Sequence, residues 1–358
     1  MEDIFDFGTC NSEDTKQQSD HILIVDGSNI LFKLTSVFEP KKNETQNDDF
    51  LTRLERDLLL QTDGDNDVFA KHLEDEKYLS FKRNLFKSFL TKINMHYKAF
   101  NCTKVYLIFD VGTSWRVSYT KGEFENITPI TNRIYKSNRR KDMTAQQILA
   151  YKMMKQVCSE IISFFEQHTN VKCFYKPLLE ADDIISHLPV LEKHNTFVIL
   201  SADGDLAQLQ RFENVQVYDA HNNKMRDKID VKWFLFEKCI RGDKSDYVRS
   251  AFPRVKTTRL EKAFIDPFEY VNIMETEWID ENKKTVKVKD AFAENILLMD
   301  LTEQPLSIKQ QIKDIHEQVS SRNIKPVNKF TLGVALSEFD LDHIKDDLFN
   351  NKFMWIFK

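Results

Sequence analysis

Five short runs along this chain are apolar at nearly every position: HILIVD at 21–26, KVYLIFD at 104–110, VKCFYK at 171–176, TFVILS at 196–201 and NVQVYD at 214–219. A strand with one wet face alternates apolar and polar residues. A run without that alternation is expected where both faces of a parallel sheet are covered. Between the runs, apolar residues return at helical spacing. Leu79, Phe86, Phe89, Leu90 and Ile93 share one side of a helix over 77–99, and Ile148, Tyr151, Met154, Cys158, Ile161, Ile162 and Phe165 do so over 144–167. The alternation predicts the α/β class, an open and mostly parallel sheet flanked by helices. From Lys228 the strand rhythm gives way to helical patterns. We therefore expect a flexible arm over 1–20, an α/β domain over 21–227 and a mainly helical extension over 228–358. The polar KKNETQNDDF at 41–50 and acidic TDGDND at 62–67 mark a surface insertion, and no internal repeat is present.

The acids fall at particular points of this pattern. Asp26 ends the first run and Asp110 the second; Asp203 and Asp205 follow the fourth in SADGDLAQL; Glu180, Asp182 and Asp183 open a helix in LLEADDIISHL after the third. In an open parallel sheet these points converge on one edge, the carboxyl ends of the strands, where ligands bind. Singly, each acid reads as a cap or turn residue, or as a favourable charge at a helix N-terminus. Together they would repel strongly unless something positive sat among them. Such hard oxygen ligands suit Mg2+, with Mn2+ able to substitute. Two such ions about 3.5–4 Å apart support phosphodiester hydrolysis.

Composition narrows the classes. A chain of 358 residues with 41% hydrophobic residues can bury a sizeable core, and its net charge of -5 excludes a uniformly basic coat but not a local basic groove. No stretch reaches the ~18 apolar residues of a membrane span, and the acidic first twenty residues do not read as a signal peptide. Five scattered cysteines (Cys10, Cys102, Cys158, Cys173 and Cys239) without a C-x-x-C suit reduced thiols in a cytoplasmic protein and offer no thiolate zinc site. Nothing in the sequence points beyond a monomer.

Two basic stretches stand out against the acidic balance. RIYKSNRRKD at 133–142 carries Arg133, Lys136, Arg139, Arg140 and Lys141 before its first acid. On a helix, Tyr135 would share a face with Arg139, and Lys136 with Arg140. The cations can hold phosphates while Tyr135 stacks on a base. The second stretch, Arg249, Arg254, Lys256, Arg259 and Lys262, is opposed only by Glu261 and suits duplex phosphates.

DGSN at 26–29, FD at 109–110, EADD at 180–183, SADGD at 201–205 and GDKSD at 242–246 resemble the motifs of the 5′-nuclease family, which includes flap endonucleases and the 5′-exonuclease domain of bacterial DNA polymerase I. Over roughly 20–340 the likeness runs to the family's bacteriophage branch, that of the T-even RNase H, and takes in YKSNRRK at 135–141 and a weaker stretch at Lys329–Leu336. The resemblance implies a PIN-like fold with a helical arch around 112–145 and a helical C-terminal DNA-binding region. It implies that Asp26, Asp110, Glu180, Asp182, Asp183, Asp203, Asp205 and Asp246 serve two metal ions, with Asp243 outside them. It makes Lys136 and Arg139 the arch residues that steer the scissile phosphate. The implied activity is Mg2+-dependent 5′ to 3′ exonuclease and flap endonuclease action on DNA, or on RNA of an RNA–DNA hybrid, in primer removal at the lagging strand.

Two departures are plain. No glycine occurs from 247 to 264, where the family places a glycine-rich duplex-gripping hairpin, and 41–73 looks inserted. The resemblance also implies that the N-terminal segment contacts a sliding clamp, for which Ile4, Phe5 and Phe7 are the anchors among Glu2, Asp3 and Asp6; single-strand DNA-binding protein is a further expected partner. Two rival functions are a PIN-type single-strand ribonuclease, usually a much shorter chain, and a non-catalytic DNA-binding replication factor, in which acids would be missing. A retroviral-type RNase H orders its acids differently.

Overall fold

A computed structural model describes residues 19–35, 76–125, 127–139 and 144–357. The 41–73 insertion, the anchors Ile4, Phe5 and Phe7, and the cations Arg140 and Lys141 lie outside the described residues.

All five apolar runs are strands: β1 (His21–Asp26), β2 (Lys104–Ile108), β3 (Lys172–Phe174), β4 (Thr196–Ser201) and β5 (Val215–Asp219). They lie in the order β3-β2-β1-β4-β5 and all pair in parallel; a two-residue β6 (Lys224–Met225) adds an antiparallel edge. Alternate residues point to opposite faces, and both faces of the central β1, β2 and β4 are covered, which is why their runs do not alternate in polarity; toward the edge, β5 does alternate, with Gln216 exposed. Leu23 and Val25 of β1 enter one apolar layer while Ile22 and Ile24 enter the other, and β4 divides in the same way.

The first layer is covered by α1 (Gly27–Thr35), α2 (Glu76–Ala99) and α4 (Ala145–His168). The second is covered by α3 (Trp115–Thr120), α5 (Ala181–Leu191) and the later α10 (Leu306–Ser320). Thr144 caps α4, accepting from the Gln147 backbone N–H at 3.2 Å, with Gln147 reaching back to Thr144 N at 3.0 Å. Between these layers and the C-terminus, α6 (Val231–Arg241), α7 (Thr257–Ile265), α8 (Pro267–Met274) and α9 (Val288–Met299) gather a third apolar cluster around Phe236, Ile240, Leu260 and Ile273. A β7–β8 hairpin (Glu277–Ile279, Thr285–Lys287) leads into α9. The chain then returns to the first layer with α11 (Lys329–Glu338) and α12 (Lys345–Phe349), and Trp355 stacks on Phe165 of α4 at 5.7 Å.

The strand order fixes where a ligand can enter. From β1 the sheet grows toward β2 on one side and β4 on the other, so β1 sits at a switch point with its carboxyl end facing a crevice. Gly27 opens α1 directly from β1, and a Cβ there would stand 2.3 Å from the Phe109 ring, so only glycine allows this tight turn.

Candidate metal centre

The carboxyl edge collects the expected acids. Asp26 is buried at the end of β1; its Oδ2 accepts from Ser201 Oγ at 2.7 Å and its Oδ1 from the Asn29 backbone N–H at 3.2 Å. Burial, then the charges of Asp110 and Asp203, push its carboxyl up to about 8. Asp110, just past β2, donates its backbone N–H to Ser28 Oγ at 2.8 Å and accepts from the Ala181 N–H at 2.7 Å. Burial and Glu180 raise its carboxyl as well.

Glu180, Asp182 and Asp183 surround the start of α5, with one oxygen of each within 4.8 Å of the others. Each is tied differently. Glu180 accepts from Arg116 Nη1 at 2.8 Å and from the Lys136 ammonium. Burial opposes its charge, but Lys136 and Arg116 hold the carboxyl down at about 2. Asp182 has one oxygen buried without a hydrogen-bond partner. Burial lifts its carboxyl well above the usual range, and Arg116 at 3.9 Å only partly opposes this.

Asp183 is the most enclosed acid of this cluster. It is fully buried and accepts from Trp115 Nε1 at 3.1 Å, Arg116 Nη1 at 3.0 Å, Gln304 Nε2 at 3.1 Å and the Glu180 N–H at 3.0 Å. Asp183 thereby anchors Arg116 and the start of α5 while one of its oxygens stays within 4.8 Å of those of Glu180 and Asp182.

On the other side, Asp203 follows β4 and accepts from the Asp205 N–H at 2.9 Å. Lys238 of α6 joins Asp205 and Asp243, with Nζ 2.6 Å from an oxygen of each. Burial raises the Asp205 carboxyl against the pull of Lys238. Asp243 is instead held at about 2: burial is outweighed by Lys238 and by Ser245, whose N–H and hydroxyl donate at 2.7 and 2.6 Å. The turn leaving α6 needs Gly242, at φ +72°, because a Cβ there would lie 2.6 Å from the Arg249 and Val248 carbonyl oxygens. That turn delivers Asp246, which accepts from Tyr135 Oη at 2.7 Å and from Arg139, with Lys136 Nζ at 3.9 Å. All nine acids thus belong to one connected centre.

The basic stretches meet it unequally. The described part of the first, 133–139, holds a bend and a series of turns over 135–139 and no helix, with Lys136 in the left-handed region at φ +57°. The expected helical pairing of Tyr135 with Arg139 is replaced by a shared acid, since both reach Asp246. Tyr135 is buried, its hydroxyl occupied and its ring 4.8 Å from Lys136 Nζ, so it supports the site and is not a stacking surface for a base. Arg133 pairs with Glu281 at 3.2 Å and lies over Tyr247.

In the second stretch, Arg249 is a correction. It is buried, donates to Asp280 at 3.0 Å and lies over Trp278, so its charge serves the fold and not a phosphate. Arg259 pairs with Glu269 at 2.9 Å yet stays exposed, while Arg254 and Lys256 are exposed just before α7.

The residue that holds the centre together escapes sequence reasoning. Arg116 has no exposed surface; besides Glu180 and Asp183 it donates from Nε to the Leu298 carbonyl at 2.9 Å. Burial works against its charge, and Asp183, Asp182 and Glu180 more than restore it. In WRVSYT it is a lone cation in a short helix with two aromatic residues, and only its isolation hints at a role. Lys238, in FLFEKCI, is overlooked for the same reason.

The donors fit hard divalent cations: oxygen ligands, one buried Asp182 oxygen without a partner, and nine carboxylates answered by Arg116, Lys136, Arg139 and Lys238. No protein-family model and no curated protein matches the chain. Among solved structures, a flap endonuclease of bacteriophage T5 complexed with DNA and metal ions aligns at TM-score 0.53 and 15% identity, covering 84% of this chain and 100% of that one. A second T5 structure of that protein with metal ions aligns at 0.52 and 14% identity, covering 84% and 98%. The chain has the 5′-nuclease fold. Within this PIN-like 5′-nuclease fold, the acids occupy the carboxyl edge of the sheet, and no described helix is long and apolar enough to cross a membrane.

Proposed function

We propose that the chain is a divalent-metal-dependent 5′-nuclease, acting as a 5′ to 3′ exonuclease and flap endonuclease with RNase H activity on RNA–DNA hybrids. What supports this reading is the cluster of Glu180, Asp182 and Asp183 beside the buried Asp26 and Asp110, where the carboxyls of Asp26, Asp110 and Asp182 are pushed up. Asp26, Asp110, Glu180 and Asp182 would hold one ion and Asp203 and Asp205 a second, with Mg2+ as the physiological metal and Mn2+ as substitute. When bound, the ions supply an acidified attacking water and charge stabilisation at phosphorus and leaving oxygen.

The chain's own residues do the rest. Gln304 holds Asp183, Asp183 holds Arg116, and Arg116 holds Glu180, so the ligand oxygens are set before metal arrives. Lys136 and Arg139 rest on Glu180 and Asp246, at the rim of the same acids. An arriving phosphodiester would draw both toward its oxygens, where they favour the more charged transition state. Arg254, Lys256 and Arg259 supply the duplex contact farther out.

In this reading the enzyme works as a monomer in the cytoplasm, removing RNA primers and flaps, as in the T-even branch of the family. Ile4, Phe5 and Phe7 bind a sliding clamp, and single-strand DNA-binding protein coats the template. One assay tests the core of the proposal: purified chain with Mg2+ on a 5′-flap, a nicked RNA–DNA hybrid and plain single-stranded RNA. Cleavage of the first two near their 5′ ends is the expected result. Cleavage of the RNA alone would move the chain to the PIN-type ribonucleases, and none at all would leave a DNA-binding factor.

A further inference from the structure

A groove of about 590 Å3 opens beside the acidic centre, between α4 and the loops that follow β2 and β3. Its volume falls within the ~300–1,000 Å3 of small-ligand sites. Asp110 belongs to both: its carboxylate faces the acids, and its carbonyl oxygen accepts from Lys155 Nζ at 3.1 Å on the groove side. Along α4 the lining continues through Tyr151, Lys155 and Ser159 to Glu166, which accepts from Tyr175 Oη at 2.8 Å and so fixes that ring at the far end. Lys155 Nζ lies 5.8 Å from the Tyr151 ring.

These groups match one kind of molecule. An ammonium retains further N–H donors after serving one carbonyl, and a phosphate is its natural acceptor. Half-buried tyrosine rings offer faces for a base without demanding its identity. The groove is polar and aromatic in one place, as a nucleotide is. We propose that it receives the released 5′-terminal nucleotide, a nucleoside 5′-monophosphate, with Lys155 on the phosphate and Tyr151 or Tyr175 against the base. The assignment rests on the nuclease reading and adds to it a subsite for the departing end. Its shared wall, Asp110, sets the subsite directly against the acids.

The test is equilibrium binding of adenosine 5′-monophosphate and its deoxy counterpart to the full chain in EDTA. Without metal the acidic centre repels a phosphate, so binding reports the groove and involves no cleavage. Ser159 is exposed on α4, and Ser159→Trp should fill the groove and weaken both nucleotides about tenfold or more, with the circular dichroism unchanged. Lys155→Met should weaken the monophosphates about tenfold while leaving adenosine itself unaffected. Wild-type chain that binds neither nucleotide, or Ser159→Trp that binds them as wild type does, overturns the subsite. An equal loss of adenosine and its monophosphate in Lys155→Met overturns the phosphate assignment. Failure to cut a 5′-flap despite groove binding would sink the nuclease reading alone, so the two failures are distinguishable.

Discussion

Asp26 and Glu180 are both carboxylates buried at one sheet edge, and their surroundings drive them apart. Glu180 has two cations on it and stays charged; Asp26 has hydroxyl and amide donors but other acids around it, and is pushed up to about 8. Without metal, the native state therefore holds a proton on Asp26 that the unfolded chain releases near pH 4, the ordinary aspartate range. Stability from this group is full below that range and falls as pH rises toward 8. In EDTA the thermal midpoint should drop between pH 5 and 8, Asp26→Asn should flatten the slope, and Mg2+ should restore the midpoint at the upper end. A midpoint indifferent to both pH and Asp26→Asn would contradict this account. Catalysis should show the converse. Asp110→Asn or Asp203→Asn should cut turnover with Mg2+ by about a thousandfold or more while keeping the fold, and near-normal turnover would remove these acids from the metal site.

At the scale of elements, the loop 127–139 and the start of α7 carry the cations, and they stand differently toward the acids. Lys136 and Arg139 touch the centre itself, so their removal should lower kcat by about 10²–10³-fold with little change in substrate affinity. Arg254 and Lys256 are exposed away from it, so their removal should weaken duplex binding and flatten its salt dependence. Identical kinetic signatures from the two pairs would end this division of labour. Arg249 should behave as neither: Arg249→Ala strands Asp280 and should lower the thermal midpoint first.

These differences mark where sequence reading stops. The strands are legible because burial on both faces removes alternation, and the acids because each stands at the end of such a run. Charge spacing alone makes YKSNRRK look helical, but its described residues are turns pinned by contacts to Asp246, far along the chain. Arg116 and Arg249 are distinguished from surface arginines only by partners distant in sequence, which periodicity cannot supply. Asp183 and Asp182 are neighbours of one type, and only the three-dimensional donors Trp115, Arg116 and Gln304 separate the anchor from the candidate ligand.

For the whole molecule, the first apolar layer is finished by the last part of the chain. Leu332, Leu336, Leu341, Ile344, Phe353, Trp355 and Ile356 are all buried in the cluster that includes α2, α4 and the sheet. Gln304 likewise reaches from beyond α9 to Asp183, and the Leu298 carbonyl accepts from Arg116, so the C-terminal third also helps to set the acids. The acidic edge and the end of the chain are thereby joined by direct contacts. Trp355 is 1% exposed and stacked on Phe165, so Trp355→Ala should cost about 3–5 kcal/mol by losing that burial and leaving a cavity. Among the described residues, none of the acids belongs to the apolar cluster around Trp355, so turnover per folded molecule should hold at low temperature, while heat inactivation comes earlier. Ending the chain at 227 removes more: it exposes the first layer, deletes Lys238, Asp243 and Asp246, and takes away the Leu298 carbonyl that accepts from Arg116 and the Gln304 amide that donates to Asp183. Such a fragment should be insoluble or lack a cooperative thermal transition. A soluble 1–227 fragment that melts cooperatively would show instead that the α/β half closes its core unaided, and that the returning segments only cover it.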